Sequence, residues 1–137
     1  MTELEQRIRE QVDYCLKYKY FRSVIFISSV DKLKKVKDIL MKYVDELPDD
    51  IMRRYFQLSK SEFQVDFILE HSNLKVVKCS DRQRGMKITG CIIDKDILDH
   101  EKYTLIYPKL TPRIIDIQNG IWEPSEKLQE RVHEVEI

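Results

Sequence analysis

Ser23-Val24-Ile25-Phe26-Ile27-Ser28-Ser29 is the stretch on which the fold turns. Four consecutive apolar residues between serines read as a strand covered on both faces, since a strand with one wet face alternates. Ser28, Ser29 and Asp31 then offer caps for a helix. Leu33, Val36, Leu40, Tyr43, Val44 and Leu47 give that helix one apolar stripe, and Pro48 stops it. Upstream, Thr2 and Glu5 have capping-box spacing. Leu4, Ile8, Val12, Cys15 and Leu16 follow as a second stripe, so a first helix should run until it fades near Tyr18 to Phe21.

Downstream, Phe63, Val65 and Phe67 alternate with Gln64 and Asp66, which predicts a strand to Leu69. His71-Ser72-Asn73 supplies turn chemistry, and Leu74 to Cys79 completes a hairpin. Asp81 to Lys87 is a polar, basic loop. Ile88 to Ile93 is a second buried strand, closed by Asp94-Lys95-Asp96. A short helix is expected through Met52 and Tyr55, and a helix or turn over Ile97 to Ile106. A last strand is expected over Ile114 to Ile117, and a final helix from Pro124 through Val135. This order predicts a single α/β domain over 1–137. Its sheet should be mixed or largely parallel, carry a hairpin and be flanked by helices.

The bulk numbers bound the function. Hydrophobic residues make up 42% and charged residues 35% of 137 residues, enough for one core. Lys+Arg and Asp+Glu both number 24, which argues against a general polyanion binder and leaves room for a local basic patch. Cys15, Cys79 and Cys91 are far apart and lack metal-ligand spacing, so they read as buried free thiols of a reducing compartment. No run approaches the ~18 apolar residues of a membrane span, and the N-terminus is charged. A cytoplasmic protein is expected. The sequence has no alanine, a bias that fits an AT-rich genome such as a phage's or a low-GC bacterium's.

From Phe63 to Asp96, a strand leads to a turn containing Asn73. A strand with Val76-Val77 follows, then Ser80 and Arg82-Gln83-Arg84-Gly85, then an apolar strand closed by Asp94. This pattern resembles the middle of the ATPase domain of phage terminase large subunits. The strand-helix unit Ser23–Leu47 is similar to that domain's second strand and helix. The resemblance covers about two thirds of the chain and implies a P-loop NTPase-like core. Two departures speak against hydrolysis. None of the glycines, Gly85, Gly90 and Gly120, precedes a Lys-Ser or Lys-Thr pair, so the phosphate loop is lacking. Lys95 follows Asp94 where the family has a glutamate that polarises water. The resemblance thus implies a reduced, non-hydrolytic relative.

Three functional readings follow. The first is a non-catalytic binding or accessory protein, phage-related and without a cofactor. It would grip nucleic acid or a protein partner through Lys78, Arg82, Arg84, Gly85 and Lys87. The second is a metal-dependent nuclease or phosphohydrolase. Asp94 and Asp96 would hold Mg²⁺, Glu101 or Asp66 would join them, and Lys95 or Lys87 would stabilise developing charge. The plain alternative is a solvated strand end whose Asp96 caps the next helix. The third is a homodimeric interaction module.

Three further features stand out. Lys32, Lys34, Lys35, Lys37 and Lys42 fall mostly opposite the second helix's stripe, as a normal polar face does. Tyr14, Tyr18, Tyr20 and Phe21 interleave with Lys17, Lys19 and Arg22, a pattern that either stacks on bases or packs on the sheet. Trp122 reads as a core plug.

Overall fold

The computed structural model describes residues 1–48, 56–60, 64–69, 71–80, 87–110, 112–123 and 131–137. Strand β1 (Arg22–Ile27) lies inside the sheet, as its apolar run requires. Its side chains divide by the period of two. Ile25 and Ile27 enter a core with Leu4, Ile8 and Val36. Val24 and Phe26 enter a second core on the opposite face, with Ile93, Ile97 and Ile106.

Helix α1 (Glu3–Lys17) and helix α2 (Leu33–Asp45) cover the first face. Thr2 caps α1 as its spacing to Glu5 predicts: the Glu5 N–H donates to Thr2 Oγ1 at 3.1 Å, and that hydroxyl, in place of the Thr2 backbone N–H of a full capping box, donates to Glu5 Oε1 at 3.2 Å. Its buried stripe takes Gln11 in place of Leu16, because the Ser23 hydroxyl donates to Gln11 Oε1 at 2.6 Å.

The hairpin forms from β3 (Gln64–Leu69) and β4 (Ser72–Lys78), with Leu69 opposite Ser72. Ser72 and Asn73 therefore belong to the strand and not to the turn. Strand β2 (Phe56–Lys60), which the sequence did not announce, pairs antiparallel with β3. Strand β5 (Gly90–Asp94) lies on the other side of β1, parallel to it. The sheet order is β2-β3-β4-β1-β5-β6. The pairs β1–β4, β1–β5 and β5–β6 are parallel, and β2–β3 and β3–β4 are antiparallel. The chain is thus an α/β fold with a mixed, mostly parallel sheet flanked by helices.

The second face is covered by α3 (Asp99–Glu101), which continues as a π-helical stretch, Lys102–Ile106, and a 3₁₀ turn, Tyr107–Lys109. Two expectations are corrected here. Ile114–Gln118 is a short helix, α4, and not a strand. Arg113 forces that outcome: its guanidinium chelates Asp116 at 3.0 and 3.1 Å while its backbone N–H donates to the same carboxylate at 3.2 Å. That closes one helical turn and leaves Ile114, Ile115 and Ile117 exposed. The second correction is Val132–Val135. It is strand β6, paired parallel to β5, and not the end of a helix. Residues 124–130 and the expected helix through Met52 and Tyr55 lie outside the described residues.

Strand β6 is fastened at its start by Arg131. The guanidinium carbon lies 5.4 Å from the Trp122 ring centre, 5.5 Å from Tyr14, 5.7 Å from Tyr18 and 5.9 Å from Phe21. Trp122 is buried, as expected of a core plug, but it packs on this cation.

Gly90 opens β5 under that corner. A Cβ there would stand 3.0 Å from Phe21 Cζ and 3.2 Å from both the Arg131 carbonyl and Gln11 Oε1. Gly90→Ala should therefore destabilise the protein by roughly 1–3 kcal/mol through overpacking. Urea unfolding at neutral pH measures this, and an unchanged midpoint would contradict the packing described.

Candidate functional site

The parallel strands β1 and β5 end side by side, and their carboxyl ends meet at a corner. The chain leaves β1 toward β4 on one side, and β5 lies on the other. This corner is thus the switch point of the sheet, the place where open α/β sheets usually bind ligands. Ser28 stands just past β1, Asp94 ends β5, and a single 3₁₀ turn, Val30–Lys32, carries Lys32 back over the strand end.

Lys32 fills the corner. Its ammonium donates to Asp94 Oδ2 at 2.8 Å, to Asp96 Oδ2 at 2.7 Å and to Ser28 Oγ at 2.9 Å. An ammonium has three N–H groups, so all three are engaged. Both oxygens of Asp94 are engaged as well. Its Oδ2 also accepts the Ser28 N–H at 2.9 Å, and its Oδ1 accepts the Asp96 N–H at 3.1 Å. The Asp94 side chain is 1% exposed and that of Asp96 is 71% exposed, so one carboxylate is sealed and the other faces solvent.

The electrostatics follow from these bonds. Burial opposes the charge on Asp94, but hydrogen bonds from Lys32, from Ser28 and from the Asp96 and Ser28 N–H groups outweigh it. Its carboxyl is held below the usual carboxylate value. Lys32 is raised by its bonds to Asp94 and Asp96, against a smaller opposing effect of burial.

The other residues singled out from the sequence divide as follows. Asp94 and Asp96 do come together, with Lys32 between them. Asp96 does not cap the next helix, whose N-cap is Leu98. Asp66 lies opposite Lys75 in the hairpin, away from β5, and Glu101 acts on the Cys79 thiol. Among the described residues, no three His, Cys, Asp or Glu side chains gather as metal ligands would. Lys95 is exposed.

Lys78 and Lys87 are both exposed, and the sheet separates them. Lys78 ends β4 beside Ile27, at the carboxyl edge. Lys87 precedes Thr89, whose N–H donates to the Arg22 carbonyl at the amino edge. The two edges of β1 are roughly 16–20 Å apart at ~3.3 Å per residue. The basic stretch therefore connects two parallel strands, β4 and β5, and its two described ends lie at opposite edges of the sheet. Arg82, Arg84 and Gly85 lie outside the described residues. The three thiols are free and buried. Burial pushes Cys15 and Cys91 well above the ordinary thiol value and Cys79 up to about 11, so none is an activated nucleophile.

Lys32 was missed from the sequence because it sat within a lysine-rich run that reads as a polar helix face. One signal was available: it is the first lysine after the Ser28-Ser29 strand end, ahead of the helical stripe. In comparisons with known proteins, no family model and no curated protein matches the chain.

Removing the charge of Asp94 leaves Lys32 with one carboxylate and the Ser28 N–H with a poorer acceptor. Asp94→Asn should cost roughly 3 kcal/mol at neutral pH. The folded carboxyl lies below its unfolded value of about 3.9, so its stabilisation is complete above that pH. It disappears as the pH falls through the folded value. Wild type and variant should therefore converge in acid, and unfolding curves followed from pH 7 downward until the two coincide read both quantities.

Proposed function

We propose that this chain is a non-catalytic binding domain, a phage-type accessory protein built on a terminase- or helicase-like core. The carrying observation is that Lys32 has all three N–H groups, and Asp94 both oxygens, engaged at the strand-end corner. A hydrolytic site at a strand end keeps its carboxylate open to a metal or a water. Here a covalently attached ammonium occupies that position with every donor engaged, and both oxygens of Asp94 are already bonded. A divalent ion would have to expel Lys32 and break its three bonds at once.

The parallel neighbours on both sides of β5 support the resemblance to an NTPase-like core. Lys95 after Asp94 and the lack of a glycine-rich phosphate loop support the absence of turnover. No helix among the described residues is long and apolar enough to cross a membrane. In this reading the domain works in the cytoplasm, on a nucleic acid or another protein.

Thermal melts with added metal test this reading. At about 5 mM Mg²⁺ or Mn²⁺ the melting temperature should stay within about 1 °C of the metal-free value. An ion held at a hundredfold excess over its Kd would instead add about 2.7 kcal/mol, several degrees for a domain of this size. A rise of that size in wild type, lost in Asp94→Asn, would replace this proposal with the metal-dependent nuclease or phosphohydrolase.

A further inference from the structure

The opposite edge of the sheet carries a different set of groups. Between α1 and β1 the chain turns through Lys19 and Tyr20, and Tyr20 has φ 62°. A bulky residue in the left-handed region is strained by roughly 1 kcal/mol or more, and a glycine or asparagine would relieve it. The strain is enforced from both sides. The Ser72 hydroxyl donates to the Tyr18 carbonyl at 2.7 Å and accepts the Phe21 N–H at 3.0 Å. Phe21 is fully buried, and its carbonyl accepts the Asn73 N–H at 3.0 Å. Tyr20 is thus the free arch of a turn whose two feet are bolted down.

The interleaved aromatics separate here. Tyr14, Tyr18 and Phe21 stack inward, with ring centres 5.2 to 6.3 Å apart, and hold Arg131. Tyr20 points outward and is 37% exposed. Its ring centre lies 5.6 Å from that of His71, with the planes tilted by 36°. His71 is exposed and stands next to the Ser72 that bolts the turn. Lys17, Lys19 and Arg22 are exposed around the arch, and the sequence from Tyr14 to Val30 has no carboxylate. Exposed Lys87 lies at the same edge, two residues before Thr89, which exchanges two hydrogen bonds with the Arg22 backbone, at 2.8 and 3.2 Å.

We infer that this amino edge is a binding site for single-stranded nucleic acid. An unpaired base stacks on Tyr20 and His71, and the backbone phosphates run past Lys17, Lys19, Arg22 and Lys87. Stacking requires an unpaired base, because the faces of paired bases are covered by their neighbours in a duplex. The four cations supply the phosphate attraction that a neutral chain lacks overall. The inference rests on the reading of the chain as a binding domain and names its ligand and its site. It also accounts for a tyrosine where a less strained residue would serve the turn.

Fluorescence anisotropy with labelled single strands of about 12 thymidines or uridines tests it, in EDTA and about 50 mM salt. Wild type should bind single strands and ignore a duplex of the same length. Preference for one strand reveals whether DNA or RNA is the ligand. Tyr20→Asn should weaken binding about tenfold or more while the melting temperature stays level or rises, since asparagine tolerates the turn. Tyr20→Gly serves as a second variant with the same expectation. Absence of binding, equal binding of duplex, or undiminished binding by both variants would each overturn the site. Cleavage of the strand on adding Mg²⁺ would overturn the non-catalytic reading instead, and the stacking comparison in EDTA would still decide this one.

Discussion

Everything in this fold hangs on the burial of β1 from both sides. Val24, Ile25, Phe26 and Ile27 are each at most 2% exposed, so neither face of the strand can remain wet. Each such side chain contributes about 1.5–3 kcal/mol when removed from water. That gain requires a layer on each face. α1 and α2 supply one, and the segment from Ile97 to Leu110 supplies the other. A buried central strand also needs a partner along each edge for its backbone groups. β4 and β5 satisfy that need, both parallel to β1. Parallel pairing then obliges the chain to return across the sheet between β1 and each of these neighbours. The crossover between β4 and β5 and the position of α2 follow from that one obligation.

The obligation also makes the two ends of the sheet unequal. At the carboxyl end the chain leaves β1 and must turn into α2, and the turn drops Lys32 onto Asp94. A lysine there neutralises a carboxylate that would otherwise be buried with its charge unpaired, a cost of several kcal/mol. At the amino end the chain arrives from α1, and the turn is held by Ser72 of the hairpin. The end where such sheets usually accept ligands is therefore filled by the protein's own side chain. The end that is usually structural is left with exposed rings and cations.

Much of this was legible in the sequence where periodicity was strong. β1, α1, α2 and the hairpin each carry a pattern that only one element satisfies. The misses have local causes. Ile114 to Ile117 has the composition of a strand, and the decisive contact is Arg113 with Asp116, one polar pair that outweighs the β-propensity of three isoleucines. Val132–Val135 is too short for periodicity to separate helix from strand, and only the free edge of β5 makes it a strand. For the site, Asp94 was legible as a strand-end carboxylate. Its partner was not, because Lys32 is distant in sequence and looks like its lysine neighbours.

The basic stretch shows why clustering in sequence is a poor guide to clustering in space in such a fold. Lys78 and Lys87 are nine positions apart, and in a hairpin they would face one another. Across a parallel crossover the same nine positions carry the chain from one edge of the sheet to the other. Arg22 and Thr89, far apart in sequence, become neighbours for the same reason, and Lys87 comes to the same edge two residues before Thr89. The choice between parallel and antiparallel pairing therefore decides which cations can act together. β1 makes that choice by being apolar on both faces. The charge pattern that matters for a ligand is set by the least charged segment of the chain.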